Sequence, residues 1–338
     1  MITIQWAYSL AGLMFAAFAL LSALDRTNRK RFGNAAFWGL MAMSLLGGDA
    51  FARLPALNLT QLGGSLYLAG PELANLLNGL LVLALAALAG FGALGRSAPA
   101  TTSEGERETW SHQLGNKLFL PALIIPATAL AGTLLYKYTP LGTMGWIEDK
   151  RETYIFLCLG ALLALLVLHA WLKPPASASL QEGRRLIDAI GWAAVLPQML
   201  AALGAVFAAA GVGTVIGEMT GAVIPEGSVF LTVLVYALGM AMFTMIMGNA
   251  FAAFPVMASA IGVPLLIQAY GGNPAVIGAI GMLAGFCGTL MTPMAANFNL
   301  VPAALLELKD QNGVIKAQVG TAIPLLLVNI ALIYFLAF

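Results

Sequence analysis

The chain has 338 residues, 60% of them hydrophobic and only 9% charged, with a formal net charge of +1. Soluble domains carry about a quarter charged residues, so this composition belongs in a lipid bilayer. It leaves no basic face for nucleic acid and no acidic tail.

The charges sit in short clusters between apolar stretches of roughly 20 residues, the length of helix that crosses about 30 Å of hydrocarbon. These Ala/Leu/Gly-rich stretches lack the alternation of barrel strands, and backbone groups in lipid must be satisfied internally. The expected fold is therefore all-α and polytopic, with about 8–10 transmembrane segments. Met1-Ile2-Thr3-Ile4-Gln5-Trp6 has no charged region and no clear cleavage site, so we read it as the start of a retained first helix. Cys158 and Cys287 fall inside apolar stretches and read as small apolar fillers.

In chain order, spans are expected at 4–24, 34–52, 75–95, 118–136 and 153–172. The first ends at the basic cluster Asp25-Arg26-Thr27-Asn28-Arg29-Lys30-Arg31. A hydrophilic loop at 96–117 contains Thr101-Thr102-Ser103-Glu104, residue types that start short helices. Lys173-Pro174-Pro175 through Arg185 reads as a hinge, dividing a scaffold-like half (1–175) from a transport-like half (176–338). The second half holds an expected span at 187–211 with Pro197, closing on Gly211-Val212-Gly213, where glycines imply close helix packing. A hairpin region at 228–268, a turn at Tyr270–Pro274, a broken helix at 275–306 and a final span at 317–338 complete it.

Lysine and arginine bias sets the expected orientation. With the N-terminus outside, the inner loops hold Arg26, Arg29, Lys30, Arg31, Arg96, Arg107, Lys117, Lys173, Arg184, Arg185, Lys309 and Lys316. The outer side keeps Arg53, Lys137, Lys150 and Arg151. The last inner loop fits only if region 228–268 enters and leaves on the same face.

No His-Glu-x-x-His, Gly-x-Ser-x-Gly or phosphate-binding Gly-x4-Gly-Lys pattern occurs, so no catalytic residue and no enzyme activity are expected. His112 and His169 read as interfacial or packed. Asp49 and Asp188 lie near helix ends, and Asp49 is the better functional candidate because an acid inside a membrane is expensive.

The two interruptions carry the functional signal. Gly248-Asn249-Ala250 followed by Pro255, and Thr292-Pro293 followed by Asn297 and Asn299, put polar and helix-breaking residues inside apolar regions. Proline and glycine free backbone groups there, which only protein, water or a ligand can satisfy. Broken helices of this kind offer amide-rich helix starts to carboxylates, and carbonyl, Asn or Thr oxygens to a cation. Ordinary proline kinks, with the asparagines bonding between helices, are the alternative. Candidate substrate- or ion-binding residues are Gly248, Asn249, Ala250, Thr289, Thr292, Pro293, Asn297 and Asn299, with a sodium ion near Asn249 and Asn297 as the possible metal. No other cofactor is expected beyond a coupling cation, sodium or a proton.

Two resemblances meet at these residues. Gly248-Asn249-Ala250 with Pro255, and Thr292-Pro293-Met294-Ala295-Ala296-Asn297, resemble the ion-transporter superfamily, which includes divalent-anion/sodium symporters with a Ser-Asn-Thr hairpin tip. Gly248 and Ala250 replace that Ser and Thr. Over nearly the whole chain, Leu180–Leu186, Ile190–Gln198, Met245–Pro255 and Gly288–Asn299 resemble a bacterial family described as one subunit of a two-component 5-oxoproline (pyroglutamate) transporter. That resemblance implies a small carboxylate substrate, alternating access, a bacterial inner-membrane location and a second, smaller membrane subunit. Residues 1–175 contain no second tip-and-break set, an independent reason to expect a partner bearing the opposite-facing repeat. A non-transporting regulatory or assembly subunit, or an intramembrane enzyme, are the competing classes.

Overall fold

Helices satisfy their own backbone in hydrocarbon, so apolar stretches of sufficient length become rods and the polar residues between them become turns. The computed structural model is dominated by such rods. It describes residues 1–55, 57–58, 67–97, 103–148, 150–223, 225 and 227–338. Among the described residues, seven helical segments are long and apolar enough to cross a bilayer. The chain is thus an all-α multi-pass membrane protein. It divides into two compact units, Met1–Asp188 and Ala189–Phe338.

In the first unit α1 (Ile4–Leu24) packs along α2 (Arg31–Ala52), and α2 packs against α3 (Pro71–Gly90). Phe15 stacks on Trp38 with ring centres 5.7 Å apart, and Phe37 meets Trp38 edge-on at 4.8 Å. At 22 residues α2 also has the length of a span. The side chain of Asp49 lies outside the described residues. Between α2 and α3, Leu57–Asn58 and Tyr67–Leu68 pair as an antiparallel ladder.

The loop after α3 starts α4 (Glu104–Leu114) with a reciprocal cap: Glu106 N–H donates to the Ser103 hydroxyl, and Ser103 N–H donates to the Glu106 carboxylate at 2.7 Å. Thr101 and Thr102 lie outside the described residues. The chain continues through α5 (Phe119–Tyr138) and α6 (Glu152–Leu172), which pack together. Much of their surface is exposed leucine, the face a bilayer would cover.

One end of this unit is polar and buried. α7 (Ala178–Ile190) presents Arg184 and Asp188, one turn apart, inward. Arg184 pairs with Asp25 at 3.1 Å and donates to the Leu21 carbonyl at 2.8 Å. Asp188 accepts from Trp38 Nε1 at 2.7 Å and from the Ser97 hydroxyl at 2.5 Å. Burial pushes the Asp188 carboxyl up, against the opposing pull of Ser97, Trp38 and Arg184. At Asp25 burial also pushes upward, but the Thr27 hydrogen bonds and Arg184 outweigh it and the carboxyl is lowered. These contacts explain why the first unit runs past the Pro174-Pro175 hinge to Asp188: α7 is fastened to α1 and α2. His169 bridges the same region, its Nδ1 3.0 Å from the Leu165 carbonyl and its Nε2 3.3 Å from the Ser179 hydroxyl, a packing role.

The second unit opens on a difference from the sequence expectation. Region 187–211 is not one span, because Gly191 takes φ +56° and starts a short 3₁₀ turn, leaving α8 (Leu196–Ala209) only 14 residues. α9 (Val212–Val223) follows. Side chains at Gly213 and Gly217 would sit 2.7 Å from Ser259 Oγ and 2.9 Å from the Ala260 carbonyl, so these glycines do serve close packing. α10 (Val229–Met247) and α11 (Ala250–Met257), which runs on as a π-wound segment Ala258–Ala269, form a hairpin. Met257 packs on Gly239 and Tyr236 on Gly262, pairs placed symmetrically about Gly248–Asn249. Each arm is long enough to cross by itself, so the interruption lies at the end of two rods rather than midway along one.

α12 (Pro274–Leu290) starts at an Asn273 cap, with Ala275 N–H donating to its side chain at 2.9 Å. It runs parallel to α10: Gly281 lies on Tyr236, Gly285 on Met240, Gly288 on Ala241. α13 (Leu300–Leu305) is one short turn, and α14 (Gly313–Ala337) returns antiparallel, its Ala337 carbonyl accepting from Asn273 N–H at 3.0 Å. Val233, Tyr236, Met240, Ile261, Ile277 and Ile333 fill the core between these helices.

Two substitutions test this packing by thermal melting in detergent. Asp25→Ala strands a buried guanidinium and should cost about 3–5 kcal/mol, whereas the pair Asp25→Ala/Arg184→Met should recover most of it. A Cβ at Gly288 would lie 2.3 Å from the Ala241 carbonyl oxygen, so Gly288→Ala should lose about 1–3 kcal/mol. Gly79→Ala, where nothing stands within 4 Å, should change little. Equal melting of the two glycine variants would contradict the close α10–α12 approach.

Candidate functional site

The hairpin turn is built locally. Gly248 ends α10 at φ +68°, a left-handed conformation that only glycine adopts freely, and its N–H donates to the Thr244 carbonyl at 2.7 Å. Asn249 then caps α11, its side-chain oxygen accepting from Phe251 N–H at 2.9 Å. The first amide of α11, at Ala250, has no intrahelical acceptor.

The second interruption is an unwound stretch, Met291–Asn299, between α12 and α13. Asn299 is fully buried and braces it: its side-chain amide donates to the Thr289 carbonyl at 2.8 Å and the Thr292 carbonyl at 2.7 Å. The Thr292 hydroxyl donates to the Met245 carbonyl at 2.8 Å, tying the break to the last turn of α10. The two interruptions, joined by a bond between residues 47 apart in sequence, are thereby neighbours in space.

Between them lies a cavity of about 180 Å³ lined by Gly248, Asn249, Ala250 and Phe251 from the hairpin, Phe286 and Thr289 from α12, and Met294–Phe298 from the break. Phe251 and Phe286 meet edge-on at 5.7 Å and wall one part of it. No Lys, Arg, His, Asp or Glu lines it. The polar groups on offer are amides. Backbone N–H groups of Asn249, Ala295 and Asn297 make no hydrogen bond among the described residues, nor does the side chain of Asn297. Behind the lining, the Thr244 hydroxyl and the Asn299 side-chain oxygen are buried without a partner among the described residues.

Of the eight sequence candidates, the structure gathers Gly248, Asn249, Ala250, Thr289 and Asn297 on the cavity. Thr292 and Asn299 are buried braces beside it, and Pro293 is exposed off the lining. The Thr289 hydroxyl bonds back to the Phe286 carbonyl at 2.6 Å. Sequence reasoning missed Phe251 and Phe286; Phe286 is three residues before Thr289, one turn along the same helix face. Among the described residues no group of three or more His, Cys, Asp or Glu could hold a metal ion.

Helical spans, with a hairpin turn and an apposed break that border a small cavity without charged side chains, define a polytopic α-helical membrane protein. The chain belongs to the family described as protein of unknown function (DUF979), whose model matches residues 5–338. No curated protein and no solved structure matches it.

The two asparagines of the break should separate by experiment. Asn299→Leu leaves two buried carbonyls unpaired, at about 1–3 kcal/mol each, and should lower the melting temperature in detergent. Asn297→Leu should leave it within a degree or two of wild type. The reverse order would show that the brace has been assigned to the wrong residue.

Proposed function

We propose that this chain is a subunit of a membrane transporter that moves a small carboxylate, 5-oxoproline by the resemblance noted above, through alternating access. The observation that carries this reading is the cavity between hairpin turn and break, whose polar lining consists of unpaired amides. A carboxylate accepts hydrogen bonds from such groups, and the start of α11 adds the positive end of a helix dipole. The absence of a lining Lys or Arg favours a small, singly charged solute over a phosphate or dinucleotide. Phe251 and Phe286 supply apolar contact for the rest of a compact ring.

Helix direction adds a second element. α10 and α12 both run toward the cavity, so two carbonyl-rich ends border it against one amide-rich end. A bare anion is poorly served by that balance, and a co-bound cation near Asn249 and Asn297, sodium or a proton, restores it. The Thr244 hydroxyl and the Asn299 side-chain oxygen are buried acceptors without an assigned donor.

The reading includes a heteromeric partner. Transporters of this architecture use two inverted repeats, each with a tip and a break, and among the described residues this chain supplies one such set. A smaller membrane subunit supplies the other. The basic-residue bias supports an N-terminus on the outer side, and the family resemblance supports a bacterial inner membrane.

Uptake of radiolabelled 5-oxoproline into vesicles, with chain and partner expressed together and singly, tests the whole reading. Saturable uptake is expected only from the pair, and Asn297→Leu should abolish it without loss of expression. Uptake that requires neither the chain nor Asn297 would remove the transport reading. Loss of complex formation in that variant, with solute affinity intact, would make this an assembly subunit.

A further inference from the structure

Where α1 and α3 end and α2 begins, the first unit gathers cations. The loop Asp25–Lys30 between α1 and α2 carries Arg26, Arg29 and Lys30, all exposed, and Arg31 opens α2. The segment after α3 is strapped across this loop. Asn28 and Asn34 side chains both donate to the Gly95 carbonyl, at 3.3 and 2.6 Å, and Gly95 N–H donates back to Asn34 at 2.8 Å. Lys30 Nζ donates to the Gly92 carbonyl at 2.6 Å. Ser97 is drawn inward to Asp188, which leaves the intervening Arg96 exposed on the outer face of the strap.

Like charges are therefore held together by neutral side chains, with no acid assigned to them. Asp25, the acid of this loop, is engaged by Arg184 and Thr27. Arg26, Arg29 and Arg96 make no hydrogen bond or ion pair among the described residues, and Arg31 has only the ring of Phe32, 4.6 Å away. Repulsion between such neighbours calls for an external anion. The ends of span-length apolar helices fix the depth of the patch at the level of lipid headgroups. Two exposed rings flank it: Phe32, 68% exposed, and Phe91, 92% exposed. Aromatic rings beside cations suit the boundary where acyl chains meet headgroups.

We propose that Arg26, Arg29, Lys30, Arg31 and Arg96, with Phe32 and Phe91, form a binding site for the headgroup of an anionic glycerophospholipid. The guanidinium groups take the phosphodiester oxygens, and the rings lie along the upper acyl chains. The site lies wholly in the first unit and is independent of the solute cavity.

The test is native mass spectrometry of the purified full chain in detergent, titrated with dioleoyl phosphatidylglycerol or dioleoyl phosphatidylcholine. Wild type should retain phosphatidylglycerol in preference to phosphatidylcholine, and each cation removed should weaken that retention about fivefold. Arg26→Gln/Arg29→Gln/Arg96→Gln should abolish the preference, while Arg53→Gln/Lys150→Gln, elsewhere on the unit, should keep it. Arg29→Lys/Arg96→Lys should retain most of it; and should the triple variant aggregate, Arg29→Gln and Arg96→Gln singly carry the same readout. Equal retention of the two lipids by wild type, or an unchanged preference in the glutamine variants, would overturn the proposal. Complete displacement by millimolar inorganic phosphate would also overturn it, by revealing a site for free phosphate.

Discussion

Every backbone amide and carbonyl inside a bilayer needs a partner from the protein itself, and this requirement governs the molecule from end to end. It explains why the described chain is mostly rods, why turns carry caps and why glycines sit where rods touch. It also isolates the places where the requirement is met by unusual means. At the break Met291–Asn299, carbonyls that a continuing helix would have satisfied are answered by one side chain, Asn299, and the Thr292 hydroxyl answers a carbonyl of α10 instead of its own helix. Substitution of side chain for backbone lets the chain stop being a helix while Thr292, Ala295, Ala296 and Asn299 stay buried. Having stopped, it leaves other amides uncommitted, and those amides line the cavity.

The first unit meets the same requirement with charge. Arg184 and Asp188 would be costly anywhere they could not reach counter-charges, and α7 delivers both to one place because they are four residues apart. An amphipathic helix of 13 residues cannot span, so it must lie along something. The ion pair to Asp25 and the bonds from Trp38 and Ser97 decide what. Removing water from these groups brings no gain by itself; what the network secures is the position of α7 and of the strap before it.

Much of this was legible in the amino-acid order, and the boundary is physical. Local chemistry reads well: Ser103 before Glu104 as a helix start, Tyr270–Pro274 as a turn, Gly248-Asn249 as an interruption, Gly211-Val212-Gly213 as a point of close packing. Each depends on residues within a turn of one another. Long-range pairing does not read. Nothing in periodicity joins Thr292 to Met245, Asn34 to Gly95 or Trp38 to Asp188, and those bonds decide which asparagine braces the break and where the first unit ends. Span counting failed at 187–211 because a single glycine with positive φ splits an apolar run whose composition alone looks continuous. The arms of the 228–268 hairpin read from hydropathy, which reports how much apolar chain there is and not where it folds back.

Charge balance links the cavity's geometry to the cargo proposed for it. A helix end carries roughly half an elementary charge, positive at the amide end and negative at the carbonyl end. α11 turns its positive end to the cavity, and α10 and α12 turn their negative ends, while the unpaired backbone groups of the lining are hydrogen-bond donors. A neutral solute gains from the donors alone. A carboxylate gains more from them but meets the two carbonyl ends, and a monovalent cation placed against those ends converts the opposition into attraction. With no lining side chain to supply a fixed charge, the proposed transport of a carboxylate calls for a counter-charge that arrives with the solute. In the proposed transporter, the way three helices point is the reason to couple anion and cation.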